Sequence, residues 1–167
     1  MAMNFLEELV AEWYEYRGYF IRRNIQVGKR PSGGYECELD VVAFHPETRH
    51  LVHIEPSMDA SKWQDREKRF RKKFDAGIAY IPELFPGLLI RGEETIEQIA
   101  LLVFAGRTGR ETLGGGKVMH VREFLREIVD HFSGYSMIKG QVHEQFPILR
   151  AIQFTTEYQR DLFRNKT

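Results

Sequence analysis

The stretch Tyr35-Glu36-Cys37-Glu38-Leu39-Asp40-Val41-Val42-Ala43-Phe44, followed by His45-Pro46-Glu47-Thr48-Arg49 and then by Leu51-Val52-His53-Ile54-Glu55-Pro56-Ser57, decides how this chain is read. Two apolar runs of strand type each carry an acid where a core strand disfavours one. The polar turn between them predicts an antiparallel hairpin. If Phe44 pairs with Leu51, counting back along the ladder sets Asp40 directly opposite Glu55, with Cβ atoms roughly 5 Å apart. Like charges facing each other on a sheet destabilise it, and burying them costs more unless something compensates. A divalent cation does so economically, because Mg²⁺ takes oxygen ligands and is commonly held by carboxylates plus waters. Asp40 and Glu55 are therefore candidate metal ligands. A slip of one residue would instead pair Asp40 with Ile54 and turn Glu55 to the other face. In that case Glu55 merely ends a strand and Asp40 faces solvent.

Before the hairpin, Asn4 is placed to cap a helix lined by Phe5, Leu6, Leu9, Val10, Trp13 and Tyr16 and ending near Gly18. Glu7, Glu8 and Glu12 fall in its first turns, where carboxylates suit the positive helix end. Tyr19 to Val27 reads as a strand, and Gly28 to Gly34 as a turn. After the hairpin, a helix is expected from about Ala60 to Ala76, packing through Trp63, Phe70 and Phe74 and ended by Gly77 and the Pro82 to Pro86 stretch. Ile96 to Ala105 reads as a strand, Thr108 to Lys117 as a glycine-rich loop, Val121 to Phe132 as an amphipathic helix, and Phe146 to Leu162 as helix. The order α-β-β-β-α-β-α-α predicts an α/β sandwich with a mixed sheet, in one domain over 1–167. Its core would span about 4–105, with a helical extension over about 118–165.

With 167 residues, 43% hydrophobic and 13% aromatic, the chain has enough apolar material for a real core and is not of disordered type. The formal net charge is zero, so any hold on a polyanion must come from a local patch. The single cysteine, Cys37, permits neither an internal disulfide nor a cysteine-based zinc site and reads as an inert thiol in a reducing compartment. Asn4 to Glu8 lacks the basic-then-apolar order of a signal peptide. The longest apolar run, Ile99 to Ala105, is far below the roughly 18 residues of a membrane span. The expectation is a soluble, cytoplasmic protein without a membrane partner.

The strongest local charge asymmetry is Arg66-Glu67-Lys68-Arg69-Phe70-Arg71-Lys72-Lys73-Phe74, soon after Glu55. Such a helix is either a solvated face covering the core with its stems or a phosphate-gripping surface with salt-dependent affinity. Beside an acidic metal site the second reading gains, because a polyanion needs cations along the rest of its backbone. Lys62, Arg66, Arg69, Lys72 and Lys73 are the candidates for nucleic-acid contact. Gly114-Gly115-Gly116-Lys117 fails as a phosphate loop, since Glu111 and Val118 stand where the pattern needs glycine and Ser or Thr. It reads as a flexible turn that touches a ligand backbone at most. His50 and His53, three apart in a strand, point to opposite faces and make no ligand pair. His45, His120, His131 and His143 are scattered and receive no role. Ser57 lacks the glycines of a nucleophile elbow.

Taken together, a glutamate-bearing helix, the Asp40…Glu55 hairpin and a basic helix resemble the PD-(D/E)xK nuclease superfamily, in particular its restriction-endonuclease-like and resolvase-like members. The similarity runs from about Phe5 to Phe85. Leu39-Asp40-Val41-Val42-Ala43 and Val52-His53-Ile54-Glu55 are its most specific parts, and Gly18-Tyr19 follows the first helix as in those members. The resemblance implies a restriction-endonuclease-like αβββαβ core with a mixed central sheet flanked by helices. It also implies Mg²⁺- or Mn²⁺-dependent endonucleolytic hydrolysis of DNA phosphodiesters. Asp40 and Glu55 would hold the metal, and Glu8, or else Glu12, would complete the shell. Glu36 and Glu38 share a strand face with Asp40 and would stand behind it. One departure is plain: the family lysine two residues after the second acid is Ser57 here, giving Asp-x14-Glu-x-Ser. Either Lys62, Lys68, Lys72 or Lys73 reaches back with the cation while Ser57 orients the water, or the site binds without cutting efficiently. Pro56 removes a backbone donor, which predicts that its strand ends there or lies at a sheet edge. The competing functions are a nuclease-fold DNA- or protein-binding module without catalysis and, less compatible with the long basic helix, a hydrolase of small phosphoesters. Nucleases that cut both strands often act as homodimers, an arrangement open to this chain.

Overall fold

The computed structural model describes residues 4–87, 95–104, 109–134 and 136–163. The chain divides into two compact units, Met1–His120 and Val121–Thr167.

The first unit is a mixed α/β structure. Helix α1 (Phe5–Tyr16) is followed by strands β1 (Phe20–Lys29), β2 (Tyr35–Phe44) and β3 (Leu51–Ser57). Helix α2 (Trp63–Tyr80) leads through a short 3-10 turn to β4 (Ile96–Leu102), β5 (Thr112–Leu113) and β6 (Gly116–His120). The strands form one six-stranded sheet in the order β1-β2-β3-β4-β6-β5, flanked by the two helices. β1, β2 and β3 run antiparallel in sequence, whereas β4 pairs in parallel with β3 and with β6. The α2 segment therefore makes the crossover that a parallel neighbour requires.

Local sequence explains each element. Asn4 caps α1 as expected: its Oδ1 accepts the Leu6 N–H at 3.1 Å, and its Nδ2 donates to Glu7 at 2.7 Å. Leu6, Leu9, Val10 and Trp13 form the buried stripe of α1, which packs on β1, β2 and β3. Every residue of β3 is buried, as its near-continuous apolar run and its central place dictate. Val42, Phe44 and Leu51 meet Ala76 of α2, with Ile81 and Phe85 just beyond it. Nearer the start of α2, Phe70 and Phe74 pack with Ala100, Leu102 and Leu113.

Two expectations about glycine change. Gly77 does not stop α2; it sits inside the helix because a Cβ there would come closer than 3.0 Å to His53 Nδ1. The glycine-rich segment, expected as a loop, carries a tight hairpin turn. Gly114 and Gly115 turn the β5–β6 hairpin with positive φ, and Gly114 donates its N–H to Glu67 of α2 at 3.0 Å. A Cβ on Gly114 would lie closer than 3.0 Å to the Arg71 backbone nitrogen, which cannot move aside. Gly114→Ala therefore combines a strained φ with a backbone clash and should cost about 2–3 kcal/mol or more. Urea unfolding of the two proteins measures it; equal midpoints would show that the hairpin does not depend on this close approach. The ends of the expected strand and loop at Ala105 and Thr108 lie outside the described residues.

The second unit holds α3 (Val121–Phe132), α4 (Pro147–Glu157) and α5 (Gln159–Phe163). Phe124, Ile128, Phe132, Leu149, Val142 and Phe146 are its buried apolar side chains among the described residues. The buried Gln153 fastens the segment before α4 by accepting the Val142 N–H at 2.9 Å and donating to the Gly140 carbonyl at 2.8 Å.

Candidate metal centre

Phe44 lies opposite Leu51, and the ladder continues through Ala43–Val52 and Val42–His53 to Val41–Ile54. The next step sets Asp40 against Glu55, and there the pairing stops. Its cause is Pro56. Val103 donates its N–H to the Ser57 carbonyl from the β4 side. By strict alternation, the backbone of Glu55 and Ser57 faces β4 while that of Ile54 and Pro56 faces β2. The next β2–β3 hydrogen bond would need a Pro56 N–H, which does not exist. Pro56 neither ends β3 nor marks a sheet edge, contrary to expectation: β3 is third of six strands and runs on beside β4 to Ser57. Only its β2 side is released, so the two strands part at the level of the acids. On the far side of β2, Asn24 stands opposite Asp40 with φ 51 and drops out of the β1–β2 ladder. The Asp40 N–H turns instead to Glu55 Oε1 at 3.2 Å.

Into this gap comes Lys73 of α2. Its Nζ donates to Asp40 Oδ1 at 2.6 Å and, in the same geometry, to Glu55 Oε2. Glu55 is 1% exposed and Asp40 is 9% exposed, so both acids are essentially out of water. Burial first, and then the charge of Glu55, push the Asp40 carboxyl up to about 7 against the pull of Lys73. Burial also raises Glu55. For Lys73, burial favours the neutral amine, but the two carboxylates outweigh it and hold the ammonium above its usual range.

A buried histidine completes the group. His53 Nε2 lies 2.7 Å from Glu55 Oε1, and its ring edge meets Phe74 with centroids 5.3 Å apart. Burial and the nearby Lys73 charge push this imidazole down to about 3, so it is neutral. Sequence reasoning misses it by testing His53 only as a partner of His50. The useful signal is its position two residues before Glu55, on the same strand face.

The remaining candidates are placed as follows. Glu8 forms an ion pair with Arg23 of β1 and is taken up there. Glu12 is buried in α1. The α1 acid that senses the site is Glu7: burial raises its pKa first and the Asp40 charge second, while Lys73 pulls it down. Glu36 accepts from the Tyr80 hydroxyl at 3.1 Å, away from the acids. Ser57 Oγ accepts the Asp59 N–H at 3.3 Å, within the turn that leaves β3. Arg66 is not an exposed phosphate contact. It is buried and donates from Nη1 to the Phe104 carbonyl at 2.7 Å, with its guanidinium over Trp63. Arg69 is exposed and pairs with Asp59 at 2.6 Å. Lys62, Lys68 and Lys72 are exposed.

The donor set fits a hard divalent cation. One positive group already bridges Asp40 Oδ1 and Glu55 Oε2, which shows that the two oxygens converge on a common point. No cluster of three or more His, Cys, Asp or Glu suited to a metal occurs among the described residues. No helix among the described residues is long and apolar enough to cross a membrane. No family model matches the chain, and no curated protein is significantly similar to it.

Proposed function

We propose that this chain is a Mg²⁺- or Mn²⁺-dependent DNA endonuclease of PD-(D/E)xK type, in which Lys73 on α2 replaces the missing strand lysine. The carrying observation is the convergence of Lys73 Nζ, Asp40 Oδ1 and Glu55 Oε2 at the point where β2 and β3 separate. The run α1-β1-β2-β3-α2-β4 and the mixed sheet support a restriction-endonuclease-like core. Asp40 and Glu55 would hold the ion, which supplies a polarised phosphate and a bound water of lowered pKa. Lys73, displaced from the acids, would face the scissile phosphate and stabilise the negative charge that develops on it. The exposed Lys62, Lys68 and Lys72 would hold the flanking backbone in a salt-dependent way.

Nicking of supercoiled plasmid in Mg²⁺ or Mn²⁺, compared with Asp40→Ala, tests the proposal. Cleavage by wild type and none by the variant is expected; no cleavage in either metal, or equal cleavage by both proteins, would refute the enzyme reading. On the α1 acids, Glu7→Gln should lower the nicking rate about tenfold. Glu8→Gln should leave it nearly unchanged and cost under about 1 kcal/mol of stability, because its partner is a partly exposed arginine. Equal effects of the two substitutions would remove Glu7 from the site.

One observation favours a second reading, a DNA- or protein-binding module of the same fold. Lys73 already supplies a cation to both buried acids, a protein-borne counter-charge at the place a metal would take. That reading predicts DNA binding that survives Glu55→Ala and weakens with Arg69→Ala and Lys72→Ala.

A further inference from the structure

The Glu55 carboxylate has two oxygens with different surroundings. Oε1 faces His53 Nε2 at 2.7 Å and the Asp40 backbone N–H at 3.2 Å. Oε2 faces the Lys73 ammonium. His53 Nδ1 is buried and has no hydrogen-bond partner among the described residues. A neutral imidazole carries one ring proton. With the proton on Nδ1, the Nε2 lone pair would oppose a carboxylate oxygen at hydrogen-bond distance, which is repulsive. The proton therefore belongs on Nε2, and His53 donates to Glu55 Oε1. Nothing exposed holds the ring in place; Phe74 and the Cβ-free surface of Gly77 do. Any side chain at position 77 would press directly on Nδ1.

We infer that His53 is a positioning residue: it engages Glu55 Oε1 and so fixes the carboxylate with Oε2 as the single oxygen presented to the divalent cation. The inference rests on the metal-dependent reading above and deepens it. Glu55 would ligate through one oxygen, with Lys73 as the group that must give way. Without the imidazole N–H, the carboxylate could rotate about its terminal torsion and present either oxygen, at a cost in ordering. Losses of ten- to a hundredfold in metal affinity are the usual effect of removing such a partner.

The test measures Mn²⁺ affinity of the full chain by electron paramagnetic resonance at pH 7.5, well below the melting temperature of each variant. His53→Gln keeps an N–H donor near the position of Nε2, whereas His53→Asn places its amide near Nδ1 and leaves Glu55 Oε1 without that donor. Expected are a loss of about tenfold or more for His53→Asn and near-wild-type affinity, within about threefold, for His53→Gln. A packing role alone would not separate these two variants in affinity, because both remove the ring. Asp40→Asn is the control for the metal reading. If wild type and Asp40→Asn bind Mn²⁺ equally, the metal centre is wrong and the role of His53 falls with it. If Asp40→Asn loses binding while His53→Asn keeps it, or if His53→Gln and His53→Asn lose it equally, only the His53 inference is overturned.

Discussion

Lys73→Met should abolish nicking and destabilise the protein in one step. The substitution keeps most of the side-chain volume and removes the only cation that bridges Asp40 Oδ1 and Glu55 Oε2 among the described residues. Breaking a buried pair from one side leaves an uncompensated charge, which costs about 3–5 kcal/mol. Here two carboxylates would be left facing each other. The loss should be full near pH 8 and smaller near pH 5, because burial raises the pKa of both acids and a proton can then take the place of the ammonium. Urea unfolding at the two pH values measures this, and a pH-independent loss would contradict it. Nicking should fall at least about a hundredfold, the usual loss when a group that stabilises transition-state charge is removed. A variant that cuts at the wild-type rate would assign the catalytic cation elsewhere on the helix.

Asp40→Asn should have the opposite effect on stability while also stopping cleavage. The Asp40 carboxyl is pushed up to about 7 in the folded protein, from an ordinary value near 3.8. A carboxyl with a raised folded pKa contributes stability below its unfolded pKa and loses that contribution as pH rises through the folded one. The ionised acid is thus a burden at pH 8 and none at pH 4. Asparagine removes the burden, and Lys73 keeps Glu55 as its partner. In metal-free buffer the variant should melt higher than wild type by about 2–5 °C at pH 8, with the gap closing between pH 7 and pH 4. Calorimetric scans across that window give the answer. A variant that melts lower than wild type at pH 8 would show that the Asp40–Lys73 pair is net stabilising.

The hairpin register is legible in the sequence because the turn between Phe44 and Leu51 is short and polar and both flanks are apolar. Counting along a ladder is then enough to bring Asp40 opposite Glu55. The helical face of Trp63, Phe70 and Phe74 is legible for the same reason, a clear period. The identity of the reaching lysine is not, although Lys73 is one of the four lysines near enough in sequence to serve. Which basic residue of a helix points at a strand depends on how the helix crosses the sheet, and no local pattern encodes that angle. The α1 register escapes likewise: Glu7 and Glu8 are neighbours in sequence, but Glu7 accepts from Asn4 and is influenced by the Asp40 charge, whereas Glu8 pairs with Arg23. Pro56 would end its strand only if the missing donor mattered on both flanks. A strand between one antiparallel and one parallel neighbour loses only the bond on the side its nitrogen faces. The segment around Gly114 reads as a loop because three glycines conceal a tight hairpin pressed onto α2.

The helix that delivers Lys73 also lies on the connection from β3 to its parallel neighbour β4. A chain that had formed only its N-terminal meander would present two acids with no ammonium between them, and would hold them apart or protonated. The cation at this centre consequently arrives with the packing of α2 on the antiparallel strands β2 and β3.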